Sequence, residues 1–107
     1  MHPNAQLLTN FYAALSQADA ATMGACYAPD ATFTDPVFTD LKGDEVPKMW
    51  RMLCSRATDF NVTFSGIEAD DRTGRARWVA TYAFSGTGRR VVNHIDSSFT
   101  FKSGLIV

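Results

Sequence analysis

The sequence predicts an α+β domain: three helices, then a meander of long antiparallel strands. Three features carry this prediction. Apolar residues recur at helical spacing as far as Arg56. From Phe60 the period changes to two. The clusters of turn-forming residues fall between the alternating runs and not within them.

Residues 4 to 17 read as the first helix. Leu7, Leu8, Phe11, Tyr12 and Leu15 stand at i, i+1, i+4, i+5 and i+8 and form one broad apolar stripe. Asp19 caps a second, short helix with Met23, Cys26 and Tyr27 on one side. Pro29 ends that helix at Ala28, because the residue before a proline is pushed out of the helical region. Thr32-Phe33-Thr34-Asp35 then reads as a strand that stops at Pro36. Phe38 to Lys42 is a connection. Asp44 caps a third helix with Pro47 in its first turn, where a missing N–H costs little. Its stripe is Val46, Met49, Trp50, Leu53 and Cys54.

Phe60, Val62 and Phe64 alternate with polar residues in the first long strand. Asp70-Asp71-Arg72-Thr73-Gly74 is a turn. Ala76, Trp78, Ala80, Tyr82 and Phe84 form one face of the next strand, and Arg75, Arg77, Val79, Thr81 and Ala83 the other. Ser85-Gly86-Thr87-Gly88 is a second turn. Val91 to Lys102 is a further strand, and Lys102-Ser103-Gly104 turns into Leu105-Ile106-Val107. The helices are expected to cover one face of a strongly curved sheet. The outer face, with Val79, Thr81, Ala83 and Val92, suits packing against a second sheet, and a homodimer is expected there.

At 107 residues the chain, 1–107, is one domain, with 46% hydrophobic and 20% charged residues. A formal charge of −1 gives no electrostatic reason for a nucleic-acid or membrane partner. No apolar run approaches transmembrane length, and Met1-His2-Pro3-Asn4 lacks the basic and apolar regions of a signal peptide. Cys26 and Cys54 both fall on apolar helix faces, as buried reduced thiols do. A cytoplasmic protein is expected. His2 and His94 stand alone, no metal-ligand spacing occurs, and there is no Gly-rich phosphate loop. Any chemistry falls to carboxylates, Tyr, Trp and His94, without a cofactor or a metal.

Asp35 is the residue that stands out. Strand parity puts it on the face of Phe33, so an inward Phe33 carries an inward carboxylate. Such a group is costly unless paired or neutralised, and the same setting makes a general base or acid. The competing reading is an Asp at a strand end that caps the following turn.

Phe11-Tyr12-Ala13-Ala14-Leu15, Ala18-Asp19, Tyr27-Ala28-Pro29-Asp30-Ala31-Thr32-Phe33-Thr34-Asp35-Pro36 and Lys42-Gly43 resemble the NTF2-like superfamily. The resemblance is closest to its SnoaL-like and ketosteroid-isomerase-like proteins. It extends to Val91-Val92-Asn93-His94-Ile95-Asp96 and to the segment from Phe99 to Val107. It implies a cone of curved sheet with the three N-terminal helices enclosing an apolar pocket. It also implies acid–base proton transfer on a small apolar carbonyl compound, by isomerisation, cyclisation or dehydration. The alternative is a non-catalytic domain that binds a small hydrophobic ligand or serves as an accessory dimer, since the fold hosts both.

Carried over residue by residue, Asp35 matches the proton-shuttling carboxylate. The oxyanion-stabilising phenol falls on Phe11 by ungapped spacing and on Tyr12 beside it. A second oxyanion group matches Asp96 or Ser97. Ile95 before it favours Asp96; parity with Phe99 and Phe101 favours Ser97 and turns His94 and Asp96 outward unless a bulge intervenes. Asp35, Tyr12 and Asp96 are thus the catalytic candidates. Phe11, Tyr27, Phe33, Trp50, Phe64, Trp78, Tyr82 and Phe99 are the candidate pocket walls. The resembling proteins run on past Gly-Leu-Ile-Val into a full last strand, so the last strand here is expected to be short or cut. In their epoxide-hydrolase variant an Arg and two Asp hold a water, and Arg75 and Arg77 have no Asp two residues on.

Overall fold

His2 opens the first helix, α1 (Pro3–Ser16), by accepting the Asn4 N–H on its Nδ1 at 3.1 Å. Its Nε2 lies 2.9 Å from Asp71, and Asn4 donates to the Asp70 carbonyl at 2.9 Å. These contacts tie the start of α1 to a turn almost seventy residues away. The computed structural model describes residues 2–35, 38–56, 58–83 and 88–107. Pro36, Phe84 and the Ser85–Thr87 part of the expected second turn lie outside the described residues.

Asp19 caps α2 (Ala20–Ala25) through the Thr22 N–H, as its position before the helix requires. The expected third helix is α3 (Glu45–Arg56). Its Glu45 carboxylate reaches back to the Lys42 N–H at 3.0 Å, and Asp44 pairs with Lys48 at 3.2 Å. The three helices form one layer, with α2 packed between α1 and α3.

Two short strands lie between α2 and α3 where the sequence suggests at most one. β1 (Thr32–Phe33) pairs antiparallel with β2 (Leu41–Lys42), which had read as plain connection. A two-residue strand has no periodicity to reveal it. Asp35 lies just beyond the end of β1.

The main sheet runs β3 (Thr58–Ala69), β4 (Thr73–Ala83), β5 (Arg90–Lys102) and β6 (Leu105–Ile106) in spatial order, all antiparallel. β3 shifts register between Thr58 and Asn61 and again between Ser65 and Glu68, and such irregularities bend a strand. β4 and β5 pair without a shift from Thr73↔Thr100 to Ala83↔Arg90. Parity is therefore kept along both strands. Val62, Ala76, Ala80 and Phe101 are buried on the inner face. Arg75, Arg77, His94 and Asp96 are exposed on the outer one.

Helix α1 lies across β3 and fills the space between the layers with Leu8, Phe11, Tyr12 and Leu15, each at most 2% exposed. Tyr12 stacks on Phe64 with ring centroids 5.7 Å apart. β6 returns toward the helices. Ile106 donates to the Cys26 carbonyl at 2.9 Å and accepts from the Ala28 N–H at 2.7 Å. The C-terminal strand thus closes one side of the space between the layers.

Candidate functional site

A cavity of about 540 Å³ lies between the N-terminal layer and the inner face of β5. Phe11 and Tyr12 reach it from α1, and Tyr27 from the residues after α2. Phe33 and Asp35 come from β1 and its extension, and Trp50 from α3. Ser97 and Phe99 supply the sheet wall, and Ile106 closes the side. Phe11 is the hub of the aromatic wall. Its ring meets Tyr12, Tyr27 and Trp50 edge-on at centroid distances of 5.2, 5.7 and 5.8 Å.

The stripe on α1 is broad enough to turn both Phe11 and Tyr12 inward. Tyr12 is 1% exposed. Burial pushes its phenol up to about 12, partly offset by a hydrogen bond with the Ser97 side chain. Trp78 donates its indole N–H to Ser97 Oγ at 2.9 Å. Trp50 donates likewise to the Tyr27 hydroxyl at 2.9 Å. Burial raises the Tyr27 phenol further still; the Trp50 bond works against this, and nearby Tyr12 and Cys26 add to it. Both phenols are therefore neutral donors at physiological pH.

Asp35 is half-buried on the same wall. Its N–H donates to the Phe38 carbonyl at 2.7 Å, and its Oδ1 accepts the Phe38 N–H at 2.6 Å. The carboxylate thus bonds to the Phe38 backbone and borders the cavity at once.

Asp96 stands elsewhere. It lies along the cavity rim, but its carboxylate is turned to the outer face, 82% exposed and 3.2 Å from Arg77 Nε. The unbroken β4–β5 register is the cause: no bulge reverses the parity, and Ser97 takes the inward place. Three of the candidate walls also stand back from the cavity. Phe64 and Trp78 pack behind Tyr12, and Tyr82 lies further along the sheet against Phe60 at 6.4 Å. They occupy the right face of the sheet but the wrong depth. Ile106 and Val107 were missed as walls, although the alternation inward of Phe101 and its hairpin partner Ile106 could have suggested the first.

A more open depression of about 420 Å³ along the outer face is lined by Thr63, Phe64, Arg77, Trp78, Val79 and His94. Arg75 and Arg77 are engaged there with Glu68 and Asp96, away from the cavity. Among the described residues, no group of three His, Cys, Asp or Glu side chains could hold a metal ion. Among the described residues, no helix is long and apolar enough to cross a membrane.

Helices layered over one face of a bent, open antiparallel sheet, with an inward cavity between, make up an NTF2-like fold. Residues 8–107 match the SnoaL-like domain, and the chain belongs to that family. No curated protein matches it. Its fold is similar to an NTF2-like protein of unknown function from Burkholderia pseudomallei K96243, with a TM-score of 0.85 and 18% identity over 99% of this chain and 86% of that one. It is also similar to an LEH-like epoxide hydrolase of M. tuberculosis, with a TM-score of 0.80 and 20% identity over 97% and 77% of the two chains. A putative polyketide cyclase from Xanthomonas campestris pv. campestris superposes with a TM-score of 0.78 and 17% identity over 97% and 84%. At such identities the likeness establishes the fold alone.

Proposed function

We propose that this protein is a cofactor-independent enzyme that moves a proton on a small, largely apolar carbonyl compound. The Asp35 carboxylate takes a proton from the carbon beside the carbonyl. The C–H electron pair forms the enolate, and the Tyr12 hydroxyl, braced by Ser97, donates to its oxygen. Asp35 then returns the proton to another carbon; or the enolate carbon attacks a second carbonyl of the same molecule and Asp35 protonates the resulting alkoxide; or a β-hydroxyl leaves as water with the proton from Asp35. Asp96 has no part in this scheme. The reading rests on one observation: a single aromatic cavity carries both a carboxylate and a buried, neutral phenol. Likeness to proteins named as a polyketide cyclase and an epoxide hydrolase supports an enzyme of this superfamily.

The test is hydrogen–deuterium exchange at the α-carbon of a panel of aryl ketones in D2O, followed by NMR. Wild-type protein is expected to accelerate exchange, and Asp35→Asn to abolish the acceleration. Exchange unchanged by the substitution removes Asp35 as the base. The second reading, a binding module for a small hydrophobic ligand, draws on the bond from the Phe38 N–H to Asp35, which suits a structural cap. Ligand binding with no exchange by the wild-type protein favours it.

The functional unit in this proposal is a homodimer joined through the outer sheet face. Val92 is 55% exposed there, beside Val79, Thr81 and Ala83, and the neighbouring Arg77–Asp96 pair offers both signs of charge to a second copy. A sedimentation value of a monomer at micromolar concentration would remove this part. The free thiols Cys26 and Cys54 suit a reducing compartment, and we place the protein in the cytoplasm on that ground.

A further inference from the structure

We infer that the Tyr27 hydroxyl, set by Trp50, is the second hydrogen-bond donor to a ligand carbonyl oxygen in this cavity. The inference deepens the carbonyl-site reading above and rests on it. An indole N–H can only donate, so at 2.9 Å the Tyr27 oxygen must be the acceptor of the Trp50 bond. The phenol hydrogen is then left to point elsewhere. No acceptor for it is found among the described residues. Tyr27 is 8% exposed and lines the cavity, so the hydrogen is withheld from bulk water and available to a bound molecule. A buried donor without an acceptor is costly, and a ligand oxygen removes that cost.

Two further features suit this role. Accepting a bond from Trp50 polarises the O–H and strengthens the bond it donates. The main chain on both sides of Tyr27 is pinned to β6, by Ile106 donating to the Cys26 carbonyl at 2.9 Å and Ala28 donating to the Ile106 carbonyl at 2.7 Å. The donor is therefore held in place before a ligand arrives. Phe11 touches both the Tyr12 and the Tyr27 rings, so the two phenols stand on one stretch of wall. The donor role that the outward Asp96 does not fill is taken from the helical layer instead of the sheet. A ligand with one carbonyl oxygen at the edge of an otherwise apolar, flat body fits such a wall.

The experiment compares 2-acetylnaphthalene with 2-ethylnaphthalene, which has nearly the same shape and lacks the oxygen. Calorimetry on the wild-type protein and on Tyr27→Phe gives both dissociation constants. The substitution is expected to weaken the ketone about threefold to tenfold, the range of one net hydrogen bond, and to leave the hydrocarbon unchanged. The infrared carbonyl band of the ketone, labelled with carbon-13, is expected at lower frequency in the wild type than in Tyr27→Phe. Trp50→Phe is expected to fall between them. Equal losses for both probes, a ketone bound no more tightly by the wild type than by the variant, an unmoved band, or no binding of either probe overturns the inference. Asp35→Asn is expected to leave the band where it is. Failure of α-proton exchange therefore speaks against the proposed reaction, and an unmoved band against Tyr27.

Discussion

Trp78 on β4 donates its indole N–H to Ser97 on β5 across 2.9 Å. Trp78 faces Ile95 in the register, so Ser97 is its diagonal neighbour, within reach of a long side chain. The bond fastens Ser97 to the inner face and with it fixes Asp96 on the outer one. It also holds the hydroxyl that Tyr12 meets.

This bond has a measurable signature. Ser97→Ala leaves the Trp78 N–H half-buried without its acceptor and is expected to cost about 1–3 kcal/mol in urea unfolding. Trp78→Phe removes the donor along with packing against Tyr12 and is expected to cost at least as much. In the double variant the losses should fall short of their sum by about 0.5–2 kcal/mol, because the second change has no bond left to break. Strict additivity would show that the bond contributes nothing.

Alkaline pH should unfold the protein through its buried phenols. Burial pushes the Tyr12 phenol from its ordinary value of 10.0 up to about 12 in the folded chain. The unfolded state therefore loses its proton first. The stabilisation is complete below pH 10 and is lost as pH rises from about 10 to about 12, on the order of 2–3 kcal/mol for Tyr12. Tyr27 acts in the same direction. Near-ultraviolet tyrosinate absorbance should rise together with loss of the native circular dichroism, and Tyr12→Phe should flatten the pH dependence of stability. Ionisation of these phenols well below unfolding would contradict their burial.

Asp35 offers a separation of stability from activity. Asn keeps a side-chain oxygen that can accept the Phe38 N–H, so Asp35→Asn is expected to change stability by less than about 1 kcal/mol. Ala leaves that N–H without its side-chain acceptor and is expected to cost about 1–2 kcal/mol. Both are expected to lower α-proton exchange by about a hundredfold or more, the ordinary worth of a general base. Exchange that tracks stability across the two variants would make Asp35 a cap and nothing else.

The residues that were legible in the sequence share a property: a long repeat averages over many positions. Leu7 to Leu15 announced α1, and the alternation from Ala76 to Tyr82 announced β4 and which way each residue faces. The outward turn of Asp96 followed from the same alternation once β5 proved free of bulges. β2 was hidden because Leu41–Lys42 is too short to show a period. Depth was hidden as well. Parity assigns Phe64, Trp78 and Tyr82 to the inner face, but only tertiary packing decides that Tyr12 stands between the first two and the cavity space. The Tyr27–Trp50 bond joins residues 23 positions apart on separate elements, which no local pattern can report.

The final prediction concerns a contact beneath the cavity wall. A Cβ on Gly74 would lie 2.8 Å from Cε2 of Phe101 and 3.1 Å from the Glu68 carbonyl oxygen. The backbone oxygen cannot easily move, so the ring must. Phe101 stacks on Phe99 at 6.5 Å, and Phe99 lines the cavity. Gly74→Ala should therefore cost about 1–3 kcal/mol by overpacking and also shift Phe99. Phe101→Leu makes room, so the cost of Gly74→Ala should fall in that background, by an amount that urea unfolding of the four proteins reads directly. Binding of 2-acetylnaphthalene should weaken in Gly74→Ala and recover in the double variant. An equal penalty in both backgrounds would mean that the Glu68 carbonyl, and not the Phe101 ring, requires glycine here.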